Sequence, residues 1–521
     1  MAAQAHGQLA SKGSLLGLLR CSLICLAVGL MGCDWELFHL YNGLPVPAND
    51  EAPDTVHVYL AVDGLDYETM LWAQDEGAFP ATSWSLSSSI PMFPATSFTS
   101  WTRYLQTEPL SGFEYEYYDP TQDLVINHGD LGLASHIVPP LEGLGLEGSA
   151  YFRAFDHHAN GYMDVVSNYA SPFQNFGRGL DDLFYVLDSR TQDSATFFGY
   201  VPQTDIIAHS FDPSEVLSAV LEIDRRIDEF RARHPEREFI FTVFSDHGMN
   251  FTPTPPERLV EVDQEMEELG IRVVDSLEPW RDADELVAIP ILHSRVTYAA
   301  LHSFPEDACE IAAVMSGAEG IDLGICRGGA PPAAIAMDLE DSWFRLWRGQ
   351  QQIAEFGFDP VTDRYLLPRS IDWSRLGLIL PPGGGKHAEF ESFSDEELFG
   401  FSYDASYPDL FYRVRTSFDP ISVKWPAEVL LSFRLGWVSA GFSLGCATDH
   451  IGASASHGAL LEAGSRGVLI TEEQELPPAF RGDNILDHFP RLQEHISERR
   501  GLLIYPGDPN RGLDYLEIPW Q

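Results

Sequence analysis

The sequence predicts an α/β protein: a central, mostly parallel β-sheet with helices on both faces and an inserted cap region. Three observations lead there. Residues 238–249, EFIFTVFSDHGM, form an apolar, aromatic and β-branched run that ends directly in Asp246, His247 and Gly248. Residues 55–64 repeat the pattern, with Val56, Val58, Leu60 and Val62 alternating before Asp63 and Gly64. Between them, a strand candidate at 194–201 leads through Asp205 and His209 into a helix that feeds the 238–249 run. Strand, ligand loop, helix, strand and ligand turn in that order describe a βαβ unit. Both ligand groups then fall at the carboxyl edge of the sheet, where open α/β folds bind their ligands.

Length and composition fit that class. A chain of 521 residues with 45% hydrophobic and 21% charged residues is globular. The net charge of −46 argues against binding a nucleic-acid backbone or an anionic lipid surface through protein charge. It does not exclude anionic substrates, because a bound cation inverts the local field.

In chain order, the first element is a targeting segment. Lys12 and Arg20 precede an apolar run at 21–31 that is too short to span a bilayer. It closes in Leu30-Met31-Gly32-Cys33, which resembles a bacterial lipoprotein processing site with Cys33 as the acylated residue. An uncleaved anchor and an ordinary secretory signal are the alternatives. The expected division is a signal peptide at 1–32, a tether at 33–54, a first part of the catalytic core at 55–255, an inserted region at 256–425 and a second core part at 426–521. The expected location is the extracytoplasmic side of a bacterial envelope, with the membrane reached through the lipid anchor. Of six cysteines, Cys309 and Cys326 could pair in an oxidising compartment, leaving Cys446 free and buried.

After the 55–64 strand, Pro91 and Pro94 exclude a central helix before residue 95, and a helix follows them. Thr96 falls at its N-terminus, where free N–H groups and the helix dipole favour an anion, with Ser97 and Thr99 as competitors. Asp156-His157-His158 lies in an aromatic loop and reads as structural or substrate-side. Asp205 and His209, four apart, can face one cation across a turn. Asp212-Pro213-Ser214-Glu215 starts a helix to about Arg233, with an apolar stripe at Val216, Val220, Ile223, Ile227 and Phe230. Residues 286–301 and the Ala-rich stretch after them suggest another βαβ piece, and 340–348 and 350–356 have helical character. The glycine-rich 383–387 lacks P-loop spacing and reads as a loop. Ser456-His457-Gly458 supplies a last histidine, again followed directly by glycine.

Taken together, Asp63, Asp205, His209, Asp246, His247 and His457 are carboxylate or imidazole donors, and Thr96 offers a hydroxyl. That is about the number that two divalent cations sharing a site require, and mixed Asp/His sets suit Zn, with Mn an alternative.

Val62-Asp63-Gly64, the Pro-rich approach to Thr96, Asp205-x-x-x-His209, Ser245-Asp246-His247-Gly248-Met249 and Ser456-His457-Gly458 resemble the alkaline phosphatase superfamily. Within it they are most similar to the nucleotide pyrophosphatase/phosphodiesterase branch. The resemblance implies an alkaline-phosphatase-like fold. It also implies two divalent ions, one held by Asp205, His209 and His457 and one by Asp63, Asp246 and His247. Thr96 would bridge them as nucleophile, through a phosphothreonyl intermediate, on a phosphorylated small-molecule substrate. The chain departs from the branch in one place. The usual Thr-Phe-Pro-Asn would set Met92 before Phe93-Pro94, and Met cannot attack; moving the hydroxyl to Thr96 restores the chemistry but leaves the substrate-contacting Asn absent. A phosphomonoesterase, a sulfatase-like hydrolase and a catalytically silent surface lipoprotein are the alternative readings. No Cys/Ser-x-Pro-x-Arg pattern near residue 96 supports a sulfatase.

Overall fold

The computed structural model describes residues 53–114, 116–126, 150–159, 171–192, 194–291, 295–328, 342–381, 389–440 and 454–499. The signal segment with Cys33, nearly all of the tether, the 383–387 loop and Cys446 lie outside the described residues.

A seven-stranded sheet forms the first lobe. Its strands are β1 (Thr55–Val62), β2 (Ser85–Ile90), β3 (His157–His158), β4 (Thr196–Val201), β5 (Glu238–Phe244), β6 (Gly467–Thr471) and β7 (Ala479–Arg481), in the order β7-β2-β6-β5-β1-β4-β3. β1 pairs in parallel with both β4 and β5, and only β6 runs antiparallel to its neighbours. The central strands are buried on both faces, as continuous apolar runs such as β1 and β5 require. Helices α1 (Tyr67–Asp75), α2 (Ser97–Tyr104), α3 (Pro172–Arg190), α4 (Gln203–Ser210) and α5 (Pro213–Arg233) flank the sheet. The α5 stripe of Val216, Val220, Ile223, Ile227 and Phe230 is buried beside Val58, Leu60 and Phe241 in one apolar cluster. Trp101 and Tyr104 of α2 pack with Phe198 and Phe244 in another. The predicted α/β sheet is therefore present, with its βαβ unit as β4, α4, α5 and β5.

A nine-stranded, largely antiparallel sheet forms the second lobe. One reading of this region is corrected. Trp343–Arg348 and Gln351–Asp359 are paired strands, not helices. Gly349 and Gln350 between them hold φ of 55° and 66°, the two positive values of a tight two-residue hairpin, so cross-strand pairing overrides the helix-forming Leu, Gln, Glu and Ala of this stretch. The βαβ piece expected from 286–301 and the Ala-rich stretch after it is present, preceded by an antiparallel hairpin of Val287–Ile291 with Tyr298–Ser303. The parallel crossover comes later, from Tyr298–Ser303 through the helix Ala308–Met315 to Ile321–Arg327, with Val429–Phe433 lying between those two strands. Cys309 and Cys326 form a disulfide across that crossover. A final helix of interest, α6 (Leu410–Ser417), lies where the second lobe meets the first. Among the described residues no helix is long and apolar enough to cross a membrane.

Candidate metal centre and nucleophile

The carboxyl ends of β1 and β5, which are parallel neighbours, deliver Asp63 and Asp246-His247 side by side. β4, on the other side of β1, leads into α4, whose first and last turns carry Asp205 and His209. One helical turn places the two on one face, and His209 Nε2 lies 3.5 Å from Asp205 Oδ1. His457 arrives from the loop before β6, with its Nε2 3.7 Å from the same Asp205 oxygen. His247 Nε2 is 3.3 Å from Asp246 Oδ2 and 3.5 Å from Asp63 Oδ1. Two sets of donor atoms thus converge within 4.8 Å: Asp63, Asp246 and His247, and Asp205, His247 and His457. All six predicted donors meet at one sheet edge.

Gly64 makes the closure possible. Its φ of +64° is left-handed, and a Cβ there would stand 2.8 Å from Asp205 Oδ1 and 3.0 Å from Asp205 Cα. Its N–H donates to Asp246 Oδ1 at 3.1 Å, so one glycine touches the carboxylates of both metal sets.

The histidines are oriented by the backbone. His209 Nδ1 lies 2.9 Å from Ala455 O, His457 Nδ1 2.9 Å from Ala95 O, and His247 Nδ1 3.0 Å from Gly248 O. A carbonyl only accepts, so each Nδ1 carries the proton and each Nε2 presents a lone pair to the cluster. Burial, then the neighbouring His457, holds His247 well below the usual imidazole range, and burial pushes His209 down to about 4. Burial, then the charges of Asp246 and Asp205, raises the Asp63 carboxyl well above its ordinary value. Burial, opposed by the Gly64 N–H and assisted by Asp205, pushes Asp246 up to about 7.

His209 and His247, held neutral by burial, stand beside crowded carboxylates and form a donor set without its counter-charge. Asp205 Oδ1 and Asp246 Oδ2 are buried with no hydrogen-bond partner among the described residues. Divalent cations fit this set: they would satisfy both oxygens and remove the repulsion between the carboxylates.

The hydroxyl at the cluster belongs to Ser97, not to Thr96. Thr96 is the N-cap of α2 by backbone geometry, but its side chain makes no capping bond. Its Oγ1 instead lies 3.0 Å from Thr99 Oγ1, which donates to Pro94 O at 2.7 Å. Ser97, the first residue of α2, donates through Oγ to Asp63 Oδ1 at 2.9 Å and sits 3.3 Å from His247 Nε2. Consecutive positions at a helix start point in different directions, and the extended φ/ψ of Thr96 (−125°, 157°) turns its hydroxyl inward. Two supporting groups had no sequence signal of their own. Tyr200 OH donates to Asp63 Oδ2, and Thr204 Oγ1 donates to Asp63 O at 2.5 Å. Only their position at the end of β4, next to β1, could have suggested them. Asp156 and His157 lie apart from the cluster and pair with His495 and Asp182, respectively. His158 Nε2 meets Phe152 O at 2.9 Å, so the three are structural.

Comparison with known proteins adds the following. No curated protein matches the chain in sequence. In fold, the chain is similar to murine ectonucleotide pyrophosphatase/phosphodiesterase 5, at 11% identity and a TM-score of 0.44 over 84% of this chain and 95% of that one. It is also similar to the human counterpart, at 10% identity and a TM-score of 0.42 over the same shares. Phosphonoacetate hydrolase from Sinorhizobium meliloti matches at 12% identity and a TM-score of 0.39, over 88% of this chain and 99% of that one. Residues 151–336 match the family model described as type I phosphodiesterase / nucleotide pyrophosphatase, a segment that holds Asp205, His209, Asp246 and His247. The motif resemblance and this match agree: over residues 151–336 the chain is similar to the type I phosphodiesterase / nucleotide pyrophosphatase family.

Proposed function

We propose that the protein is a metal-dependent phosphoester hydrolase of phosphodiester or nucleotide-pyrophosphate type, with the Ser97 hydroxyl as nucleophile. One observation carries the reading: Ser97 Oγ touches both Asp63 and His247 at the first turn of α2. Asp63, Asp246 and His247 would hold one divalent ion, and Asp205, His209 and His457 the other, with Zn the choice that a mixed Asp/His set favours. When bound, the ions supply Lewis-acid charge that makes the hydroxyl and a water effective nucleophiles at neutral pH.

The protein's own groups do the rest. The Ser97 Oγ proton faces Asp63 Oδ1, which is placed to receive it as Oγ attacks phosphorus. The Oγ–P bond forms while one ester oxygen departs with its electron pair, leaving Ser97 esterified to the phosphoryl group, which keeps the second ester substituent when the substrate is a diester. Water then attacks that phosphorus, the Oγ–P bond breaks, and Ser97 recovers its proton. Negative charge on the phosphoryl oxygens is supported by the positive end of α2. Tyr200 and Thr204 fix Asp63 while this happens.

The metal-loaded protein should hydrolyse bis-aryl and mono-aryl phosphates at different rates at matched metal content. A preference for the bis-aryl ester supports the diesterase reading, and the reverse preference a phosphomonoesterase. No bound metal and no hydrolysis of either would overturn the proposal. An extracytoplasmic, lipid-anchored location is part of it, supported by the 21–33 segment and by the disulfide between Cys309 and Cys326. Metabolic labelling of Cys33 by palmitate, lost in Cys33→Ala, would test that.

A further inference from the structure

Arg413 on α6 is buried to 1% exposure, yet among the described residues its guanidinium bonds to neutral acceptors and to no carboxylate. Nη1 donates to Leu460 O at 2.8 Å and to Pro408 O at 3.3 Å. Nη2 donates to Ala459 O at 3.2 Å and to Ser465 Oγ at 2.9 Å. Three of these acceptors belong to the loop that begins at His457. Ser465 Oγ in turn donates to Ala459 O at 2.8 Å, so the guanidinium closes a network that ties the two ends of the loop together. One turn further along α6, Ser417 Oγ donates to Phe93 O at 2.6 Å, in the segment that enters Ser97. The two segments are joined at the cluster, because Ala95 O meets His457 Nδ1 at 2.9 Å and Ala95 N–H donates to Gly458 O at 3.3 Å.

A buried guanidinium without a carboxylate is costly, and an apolar side chain of similar size would often be as stable. Its rigid fork does what an apolar side chain cannot: it fixes several acceptors in one geometry. We propose that Arg413 is a positioning residue for the metal centre, acting from the second lobe through the 457–466 loop to hold His457 Nε2 against Asp205. This rests on the two-metal reading above. It makes the Asp205 side of the centre directly dependent on Arg413, whereas the Asp63 side meets α6 through the separate Ser417 bond to Phe93 O and meets the loop only through the Gly248 N–H to Ser465 O at 3.3 Å.

The test compares the full-length protein with Arg413→Met, Arg413→Lys, Ser465→Ala and His457→Ala. Each is stripped, reloaded with Zn and analysed for metal content, and amide exchange of residues 454–466 is followed in the metal-free form. Arg413→Met should match His457→Ala in losing about one of two ions, with exchange of the loop faster by at least about tenfold. Arg413→Lys, which keeps the charge but not the fork, should fall between. Arg413→Met with the wild-type metal content and wild-type loop exchange overturns the proposal. If Arg413→Met does not fold, Ser465→Ala decides: it should weaken one of the two ions by about tenfold, and wild-type affinity together with wild-type exchange would refute the role. Wild-type protein that binds no metal would sink the two-metal reading instead, and the loop-exchange comparison would still judge what Arg413 holds.

Discussion

Replacing Gly64 by alanine should damage both halves of the centre at once, and its size follows from local geometry. Two costs combine. A non-glycine residue at φ +64° costs about 1–2 kcal/mol. The added Cβ would also stand 3.0 Å from Asp205 Cα, a backbone atom that cannot swing aside as a side chain could. Overpacking of that kind costs about 1–3 kcal/mol, so Gly64→Ala should lose about 2–5 kcal/mol in all. Relief by moving α4 would carry Asp205 away from His457, and relief by moving the 63–64 turn would break the Gly64 N–H bond to Asp246. Either path should weaken metal binding by about 10–100-fold. Urea unfolding in the presence of a chelator measures the first effect, and metal titration of the folded protein the second. Gly64→Asn separates the causes: asparagine tolerates the left-handed region, so it should recover part of the backbone cost and none of the metal affinity. Wild-type stability and metal affinity in Gly64→Ala would refute the reasoning.

Further outcomes follow from the same cluster. In metal-free protein, Asp246 has a folded pKa raised from 3.8 to about 7, so its contribution is fully present below about pH 4 and is lost as pH rises through 7. His209, lowered from 6.5 to about 4, acts oppositely and adds stability as pH rises from 4 to 6.5. From these two groups, chelated protein should change little in stability from pH 4.5 to 6.5 and weaken slightly toward pH 7. Bound Zn should remove the fall, so stabilisation by Zn grows with pH; chelated protein that gains stability between pH 6.5 and 8 would contradict this. Tyr200→Phe deprives the buried Asp63 Oδ2 of its donor. It should cost about 1–3 kcal/mol in the metal-free protein and about 10–100-fold in metal affinity or turnover, read by the same urea and titration assays.

Much of the sheet and the six candidate donors were legible because five of them follow an apolar strand or sit on one helical turn, while His457 was marked only by the glycine after it. Asp63 and Asp246-His247 close runs whose period leaves no other reading. The sheet then brings β1, β4 and β5 together without help from distant sequence. The nucleophile was less legible. Thr96, Ser97 and Thr99 are equivalent by residue type, and the choice among them depends on an N-cap torsion and on the Thr96–Thr99 contact. The strands Trp343–Arg348 and Gln351–Asp359 were hidden by good helix formers. Their signal was the pair Gly349-Gln350 between aromatic-rich runs. Arg413 carries no motif at all, because most of its partners, two carbonyls and a serine hydroxyl, lie in a loop some 46 residues or more away.

The account turns most directly on which hydroxyl becomes phosphorylated. Metal-loaded wild-type protein, Ser97→Ala and Thr96→Ala should be quenched in acid during turnover of an aryl phosphodiester and the phosphopeptide sequenced. The aryl-phosphoryl group should be found on Ser97 in wild type and in Thr96→Ala, with Thr96→Ala retaining most of its turnover. Ser97→Ala should keep its metals and lose both the phosphopeptide and about 10³-fold or more of its rate. Full turnover in Ser97→Ala, or phosphate on Thr96, would contradict the assignment.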